Sequence, residues 1–205
     1  ELVGKAYDET KTIVCHLGNG ASICAVENGK SVDTSMGLTP LEGLVMGTRS
    51  GDIDYSMIPY VMEKSGMTLQ EVDNILNKQS GLYGISKGKS DARDIEAGME
   101  AGDELCLLAQ KMYVKRVVEY IAKYYVLLDG CDAIVFTAGL GENSSLTRKQ
   151  IMDSLHALGV KVDEEANDMR GEEKMVSAPD SSIPCYVIPT DEEVMIARDT
   201  YELIK

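Results

Sequence analysis

The residues most able to do chemistry in this chain sit in five short, glycine-marked or capped segments. Arg49 lies in Gly47-Thr-Arg-Ser-Gly-Asp-Ile-Asp54, where a planar, permanently charged guanidinium suits a carboxylate or a phosphoryl group. The same residues also make an ordinary surface loop with Arg49 paired to Asp52 or Asp54. Ser90-Asp-Ala-Arg-Asp94 enters a helix, and its Asp91 and Arg93 either touch a ligand or satisfy each other as a cap. Ile134-Val-Phe-Thr-Ala-Gly-Leu-Gly-Glu-Asn-Ser-Ser145 passes from an apolar strand, expected to be covered on both faces, through Gly139 and Gly141. It continues into a helix opened by Asn143, Ser144 or Ser145 and running to about Leu158. A flat or anionic ligand fits such a junction, because the helix start presents free N–H groups and its positive dipole end; a plain βα turn is the alternative. His16 precedes Gly18-Asn-Gly20 at a strand end. Glu192, after Pro189-Thr-Asp, is a free carboxylate able to hold a hard divalent cation or to serve only the helix dipole. Thr190 and Glu193 fit a capping box.

These segments need elements to position them. Thr12–Leu17, Ala21–Val26 and Ser31–Ser35 read as a three-stranded meander. Its first turn uses Gly18, Asn19 and Gly20, expected at positive φ, and its second Asn28-Gly29. A short helix is expected at Thr39–Met46, ended by Gly47, then helices near Ser56–Lys64 and Thr68–Lys78, the latter with Leu69, Val72, Ile75 and Leu76 on one face. Ser80–Lys89 reads as a glycine-rich basic loop. Asp103–Leu128 is a long helix with apolar side chains around most of its circumference, expected to be central and largely buried. Val176–Pro179 and Cys185–Ile188 are β-prone, and a last helix follows Pro189. The order is βββ-αβαβα, in one unit without repeats or linkers.

With 205 residues, of which 44% are hydrophobic, the chain can build a full core. Its formal net charge of −14 argues against nucleic acid and against an anionic membrane surface. Five cysteines, odd in number and widely spaced, read as free thiols of a reducing, cytoplasmic environment. No run has the length of a membrane span, and the N-terminus lacks the order of a signal peptide. A chain that begins with Glu rather than Met and runs at once into a strand is expected to be a piece of a longer protein.

Together, His16-Leu-Gly-Asn-Gly20, Met46-Gly-Thr-Arg-Ser-Gly-Asp52, Ser90-Asp-Ala-Arg-Asp94, Thr137-Ala-Gly-Leu-Gly-Glu-Asn143 and Pro189-Thr-Asp-Glu-Glu193 resemble, in order and spacing, the second half of the acetate kinase family. The resemblance spans essentially the whole chain. It implies an α/β, ribonuclease-H-like domain of the acetate and sugar kinase, Hsp70 and actin superfamily, βββαβαβα in type with helical insertions. Residues 1–205 would be the single C-terminal nucleotide-binding domain of a two-domain kinase. The implied reaction is reversible transfer of the ATP γ-phosphoryl to acetate, giving acetyl phosphate and ADP, with Mg²⁺, or Mn²⁺ in its place. Carried over by position, Arg49 would be catalytic. His16, Leu17, Gly18, Asn19 and Gly20 would bind phosphate; Asp91, Ala92 and Arg93 would line the nucleotide site. Gly139, Leu140, Gly141, Glu142 and Asn143 would hold the adenosine, and Glu192 would support the metal. The resemblance also implies a homodimer through this domain.

Tyr55 departs from the family, which usually has Pro there. The family's first half, with a further Arg, a catalytic Asp and the acyl pocket, is absent from these 205 residues, so this half alone is expected to be inactive. A butyrate or propionate kinase shares the same motifs. A non-catalytic nucleotide-binding or dimerisation module of the same fold is the rival from another class.

Overall fold

A computed structural model describes residues 2–205. The meander forms as its alternation requires. β1 (Lys11–Leu17), β2 (Ala21–Glu27) and β3 (Lys30–Thr34) pair antiparallel, and Ile13, Cys15, Leu17, Ala21, Ile23 and Ala25 are buried on one face. Asn28 and Gly29, at φ of 53° and 72°, make the tight second turn. Five helices follow: α1 (Met57–Ser65), α2 (Leu69–Lys78), α3 (Gly81–Ser86), α4 (Ala92–Glu100) and α5 (Glu104–Leu127). β4 (Ala133–Thr137) then returns beside β1, parallel to it, with Val14 opposite Val135. After α6 (Ala138–Asn143), α7 (Ser145–Ser154) and α8 (Glu164–Asn167), the short edge strand β5 (Lys174–Met175) precedes β6 (Cys185–Val187), which lies parallel to β4. α9 (Glu192–Ile204) ends the chain. The sheet order is β3-β2-β1-β4-β6-β5: an antiparallel meander continued by parallel strands, which is the expected ribonuclease-H-like arrangement.

α5 supplies the core under the sheet. Asp103 caps it, accepting the Leu105 and Cys106 N–H groups at 2.9 and 3.3 Å, and Tyr113, Val117, Ile121 and Tyr124 are buried. Leu107, Leu108 and Met112 are 40, 47 and 41% exposed, so one face of α5 is open rather than the whole helix being enclosed. β4 is covered on both faces, as expected: Ile134 and Phe136 are buried on one, and on the other Ala133 is buried and Val135 half-buried.

Three expectations fail for local reasons. Residues 39–46 form turns rather than a helix, because their backbone groups bond outward. Gly43 N–H donates to Asp52 Oδ1 at 2.8 Å, Asp52 N–H returns to the Gly43 carbonyl at 3.0 Å, and Met46 N–H donates to the Arg49 carbonyl at 3.1 Å. Residues 81–86, expected as loop, form α3. Its leading N–H groups, which have no partner within their own helix, donate instead to Met46 and Gly47 carbonyls at 2.8 and 2.9 Å. In the first hairpin turn Gly18, Asn19 and Gly20 all avoid positive φ, so their small size serves close packing rather than backbone twist.

Gly43 sits at φ +103°, and a Cβ there would overlap the Ser35 carbonyl. Gly43→Ala should therefore cost about 2–3 kcal/mol, whereas Gly66→Ala, also left-handed but with open space around it, should cost about 1 kcal/mol. Urea unfolding of both variants checks the difference, and equal losses would show that packing at Gly43 contributes nothing.

Candidate functional site

The Arg49 loop is held by its backbone. Gly47 N–H donates to the Asn19 carbonyl, Ser80 N–H to the Thr48 carbonyl and Ser50 N–H to the Leu76 carbonyl, at 2.9 to 3.0 Å, while the Thr48 hydroxyl donates to the Asn77 carbonyl at 3.0 Å. The loop is thus bolted to the β1–β2 turn, the end of α2 and the start of α3. Arg49 itself is half-buried. It is not paired with Asp52 or Asp54: Asp52 accepts from Gly43 and Tyr120, Asp54 from Ser56 N–H, and among the described residues no carboxylate forms an ion pair with Arg49. Its Nη1 lies 3.7 Å from Met46 Sδ and would stand 3.2 Å from a Cβ placed on Gly20. Gly20 therefore leaves room for the guanidinium.

Two more glycines close the approach between loops. A Cβ on Gly47 would overlap Asn19 Oδ1 and stand 3.0 Å from the Ser90 carbonyl; one on Gly18 would stand 3.7 Å from Ala138 Cβ. The turns at 18–20, 47–49, 90–93 and 138–143 are drawn together in this way, around a cavity of about 620 Å³. Gly18, Asn19, Asp91, Ala92, Arg93, Gly139, Leu140 and Asn143 line it. Of the other candidates, Leu17 is buried in the core and His16 is a half-buried strand residue opposite Thr137; both stand outside the lining, as do Gly20 and Arg49.

Asp91 and Arg93 behave as a self-satisfied cap that also faces the cavity. Asp91 accepts Arg93 N–H at 2.9 Å and the Arg93 guanidinium at 2.6 and 3.0 Å. That guanidinium, then the backbone N–H, lowers the Asp91 carboxyl to about 2.

The junction after β4 differs from expectation. The strand passes directly into α6, and the residue at positive φ is Ala138, at 64°, while Gly139 and Gly141 are not. Thr190 supports this corner: its Oγ1 accepts Ala138 N–H at 3.3 Å and hydrogen-bonds the Thr137 hydroxyl. Gly141 is there for close packing, since a Cβ would lie 3.3 Å from the Phe136 carbonyl carbon and 3.7 Å from the Cys15 oxygen. Gly139 faces open space. The next helix, α7, starts at Ser145 and is capped by Ser144, whose Oγ accepts Thr147 N–H at 3.0 Å; Asn143 instead donates to the Gly139 carbonyl at 2.8 Å. Thr190 and Glu193 do not form a capping box, because Thr190 is engaged with α6 and Asp191 caps α9 by accepting Val194 N–H. Glu142 accepts Thr190 N–H at 2.9 Å. Glu192 is exposed in the first turn of α9, and no group of three or more His, Cys, Asp or Glu able to hold a metal occurs among the described residues. Glu192 by itself offers a single carboxylate, so a hard divalent cation held there would need its remaining oxygen donors from outside the chain.

The sequence profile of the acetokinase family matches residues 1–198. The chain belongs to the acetokinase family. It is 54% identical to an acetate kinase of Thermotoga maritima, over 100% of this chain and 52% of that protein. Among solved structures, acetate kinase of Porphyromonas gingivalis superposes with a TM-score of 0.96 at 43% identity, covering 100% of this chain and 51% of that one. A propionate kinase from Francisella tularensis gives 0.88 at 46% identity, covering 92% and 48%. The chain spans about half the length of the acetokinase relatives that it matches.

Within this acetokinase fold the cavity has lining residues to which the sequence assigned no ligand role: Gly47, Ser90 and Ser144, inside or beside the motifs, and Leu82, Glu96, Tyr113 and Arg170, outside them. Glu96 stands one turn beyond Ala92 and Arg93 on α4, and its carboxylate accepts the Ser144 hydroxyl; the helical spacing from the motif was the available signal. Arg170 comes from an irregular segment that no pattern marks. What holds that segment is Arg148, fully buried on α7. It donates to the Gly141 and Glu142 carbonyls at 3.0 Å each, to Asn167 Oδ1 at 2.9 Å, and to the Asn167 and Met169 carbonyls at 2.7 and 3.0 Å. Burial lowers the guanidinium to about 10, so it stays charged near neutrality and meets the carbonyl end of α6 favourably. Arg148→Met should cost about 3 kcal/mol by leaving these acceptors without donors. Arg148→Lys should recover only part, because three donors cannot replace five. Denaturant unfolding measures both, and a Met variant as stable as the parent would remove this role.

Proposed function

We propose that this chain is the C-terminal, nucleotide-binding half of a two-domain acetate kinase that transfers the γ-phosphoryl of ATP reversibly to acetate, giving acetyl phosphate and ADP. The observation that carries the reading is Arg49: a guanidinium in no ion pair among the described residues, on a loop fixed by its backbone, beside the cavity where the glycine turns meet. Phosphoryl transfer asks for positioning and charge neutralisation more than covalent chemistry, and a preorganised cation needs no reorganisation as charge develops. In this reading adenosine lies against Gly139, Leu140 and Asn143 on one side and Asp91, Ala92 and Arg93 on the other. The turn from His16 to Gly20 takes the phosphates, with Leu17 contributing backbone only. Gly141 and Glu142 act behind the site, the first by packing α6 on the sheet and the second by holding Thr190. Mg²⁺, carried partly by Glu192, would neutralise phosphate charge.

Acyl preference belongs to the half that this chain lacks. The match to a propionate kinase at 46% identity keeps propionate as the second reading of the acceptor. Five free cysteines support a reducing cytoplasm. The open apolar face of α5, with Leu107, Leu108 and Met112, supports a homodimer through this domain. Sedimentation at tens of micromolar should show a dimer that Leu108→Glu dissociates, and a strictly monomeric parent would refute it.

The decisive experiment is a hydroxamate assay for acetyl phosphate. This chain alone should bind Mg·ADP yet make no acetyl phosphate, because both reactants must be aligned across a cleft it only half supplies. In the full-length protein Arg49→Ala should lower kcat by about 10³ with little change in the ATP KM. Activity in the isolated chain would refute the divided site, and a variant losing only nucleotide affinity would show that Arg49 serves the ground state.

A further inference from the structure

We propose that Tyr113 is a specificity-determining residue of the cavity, whose hydroxyl hydrogen-bonds the edge of the nucleotide base. The proposal rests on the reading of this cavity as a nucleotide site and adds the group that reads the base.

Tyr113 sits on α5 and is 1% exposed, yet it is part of the cavity lining. Its hydroxyl has no hydrogen-bond partner, a condition shared, among the buried side-chain polar atoms of the described residues, only with Tyr124. The two differ in surroundings. Tyr124 lies away from the cavity lining and within reach of the Asp33 carboxylate, which pushes its phenol up after burial does. Near Tyr113 the titratable neighbour is Cys15, a fully buried thiol that burial keeps protonated and so neutral, and a thiol is a weak partner. An enclosed hydroxyl without a partner is a penalty that phenylalanine in the same place would avoid.

No group of the lining bonds it in this structure. Ser144 has one proton and gives it to Glu96, while its oxygen takes Thr147 N–H. Arg93 is engaged with Asp91, and Arg170 is exposed at the rim. Leu82 and Leu140 add apolar walls to the same cavity, which suits a flat heteroaromatic base. A purine has ring nitrogens that accept and, in adenine, an exocyclic amine that donates. A phenol can serve either as donor or as acceptor.

Calorimetry of the 205-residue chain and of Tyr113→Phe, with Mg·ADP, adenosine and Mg·tripolyphosphate, tests the assignment. The phenylalanine variant should bind ADP and adenosine about fivefold or more weakly, bind tripolyphosphate unchanged, and melt without ligand at least as high as the parent. Unchanged ADP affinity in a variant of a parent that binds ADP would overturn the proposal and leave the nucleotide reading standing. A lowered unliganded melting temperature with equal losses for all three ligands would also overturn it, by showing a structural hydroxyl. A parent that binds neither ADP nor adenosine would sink the nucleotide reading and this proposal with it.

Discussion

The structure depends on a set of backbone hydrogen bonds around residues 46–50. In this stretch, carbonyls of Met46, Gly47 and Thr48 accept from Leu82, Tyr83 and Ser80, and N–H groups of Gly47 and Ser50 donate to Asn19 and Leu76. The start of α3 cannot satisfy its own leading N–H groups, and the loop cannot satisfy its own carbonyls; each is the other's partner. Gly81, at φ +59° with no room for a Cβ beside the Met46 carbonyl, permits the contact. Arg49 gains a fixed base this way without a carboxylate partner. A guanidinium held by an ion pair would have to give up that pair to act on a phosphoryl group, whereas one held through its backbone, with only a weak thioether contact at Met46 Sδ, keeps its donors available.

The sheet sets where this loop can work. The parallel strands β1, β4 and β6 all point their C-terminal ends at the same side of the domain, and each leads into a turn at or beside the candidate site: Gly18 after β1, Ala138 after β4, Thr190 after β6. Crevices at the carboxyl ends of parallel strands are where ligands bind in open α/β sheets. The corner at Ala138 carries backbone strain of about 1–3 kcal/mol for a non-glycine residue at positive φ. Neighbouring bonds offset it: Thr190 accepts its N–H, and Arg148 pins the far end of α6. Strain at one end and a buried guanidinium at the other give α6 one position over the cavity.

Alternation made the meander legible, since Ile13, Cys15 and Leu17 could be buried together only as a strand, and the long apolar period gave α5. The acetokinase motifs located most of the cavity wall, at Gly18, Asn19, Asp91, Arg93, Gly139 and Asn143. What could not be read was set by distant partners. Residues 39–46 have helix-compatible residues, but Asp52 takes the Gly43 N–H. Ser80–Lys89 is rich in glycine, but the Arg49 loop supplies the acceptors that make a helix of it. Thr190 has a capping-box sequence, but α6 engages its hydroxyl first. Tyr113, Glu96 and Arg170 share no motif; they meet because α5, α4 and the segment after α8 converge in space.

The remaining constraint is electrostatic. A chain with a formal net charge of −14 repels a polyphosphate at long range, so local cations must reverse the sign at the site. Arg93 is largely spent on Asp91, whose carboxyl it holds at about 2, and Arg148 is sealed behind the wall on carbonyls. That leaves Arg49 and Arg170, neither in an ion pair among the described residues. Fields beyond about 8–10 Å are screened at physiological salt, which mutes the acidic surface. A guanidinium in contact with phosphate in a half-buried site is screened far less. In the proposed reading the net acidity slows approach without preventing capture, and the protein's own cationic contacts to the anion fall to Arg49 and Arg170, neither held by opposite charge among the described residues.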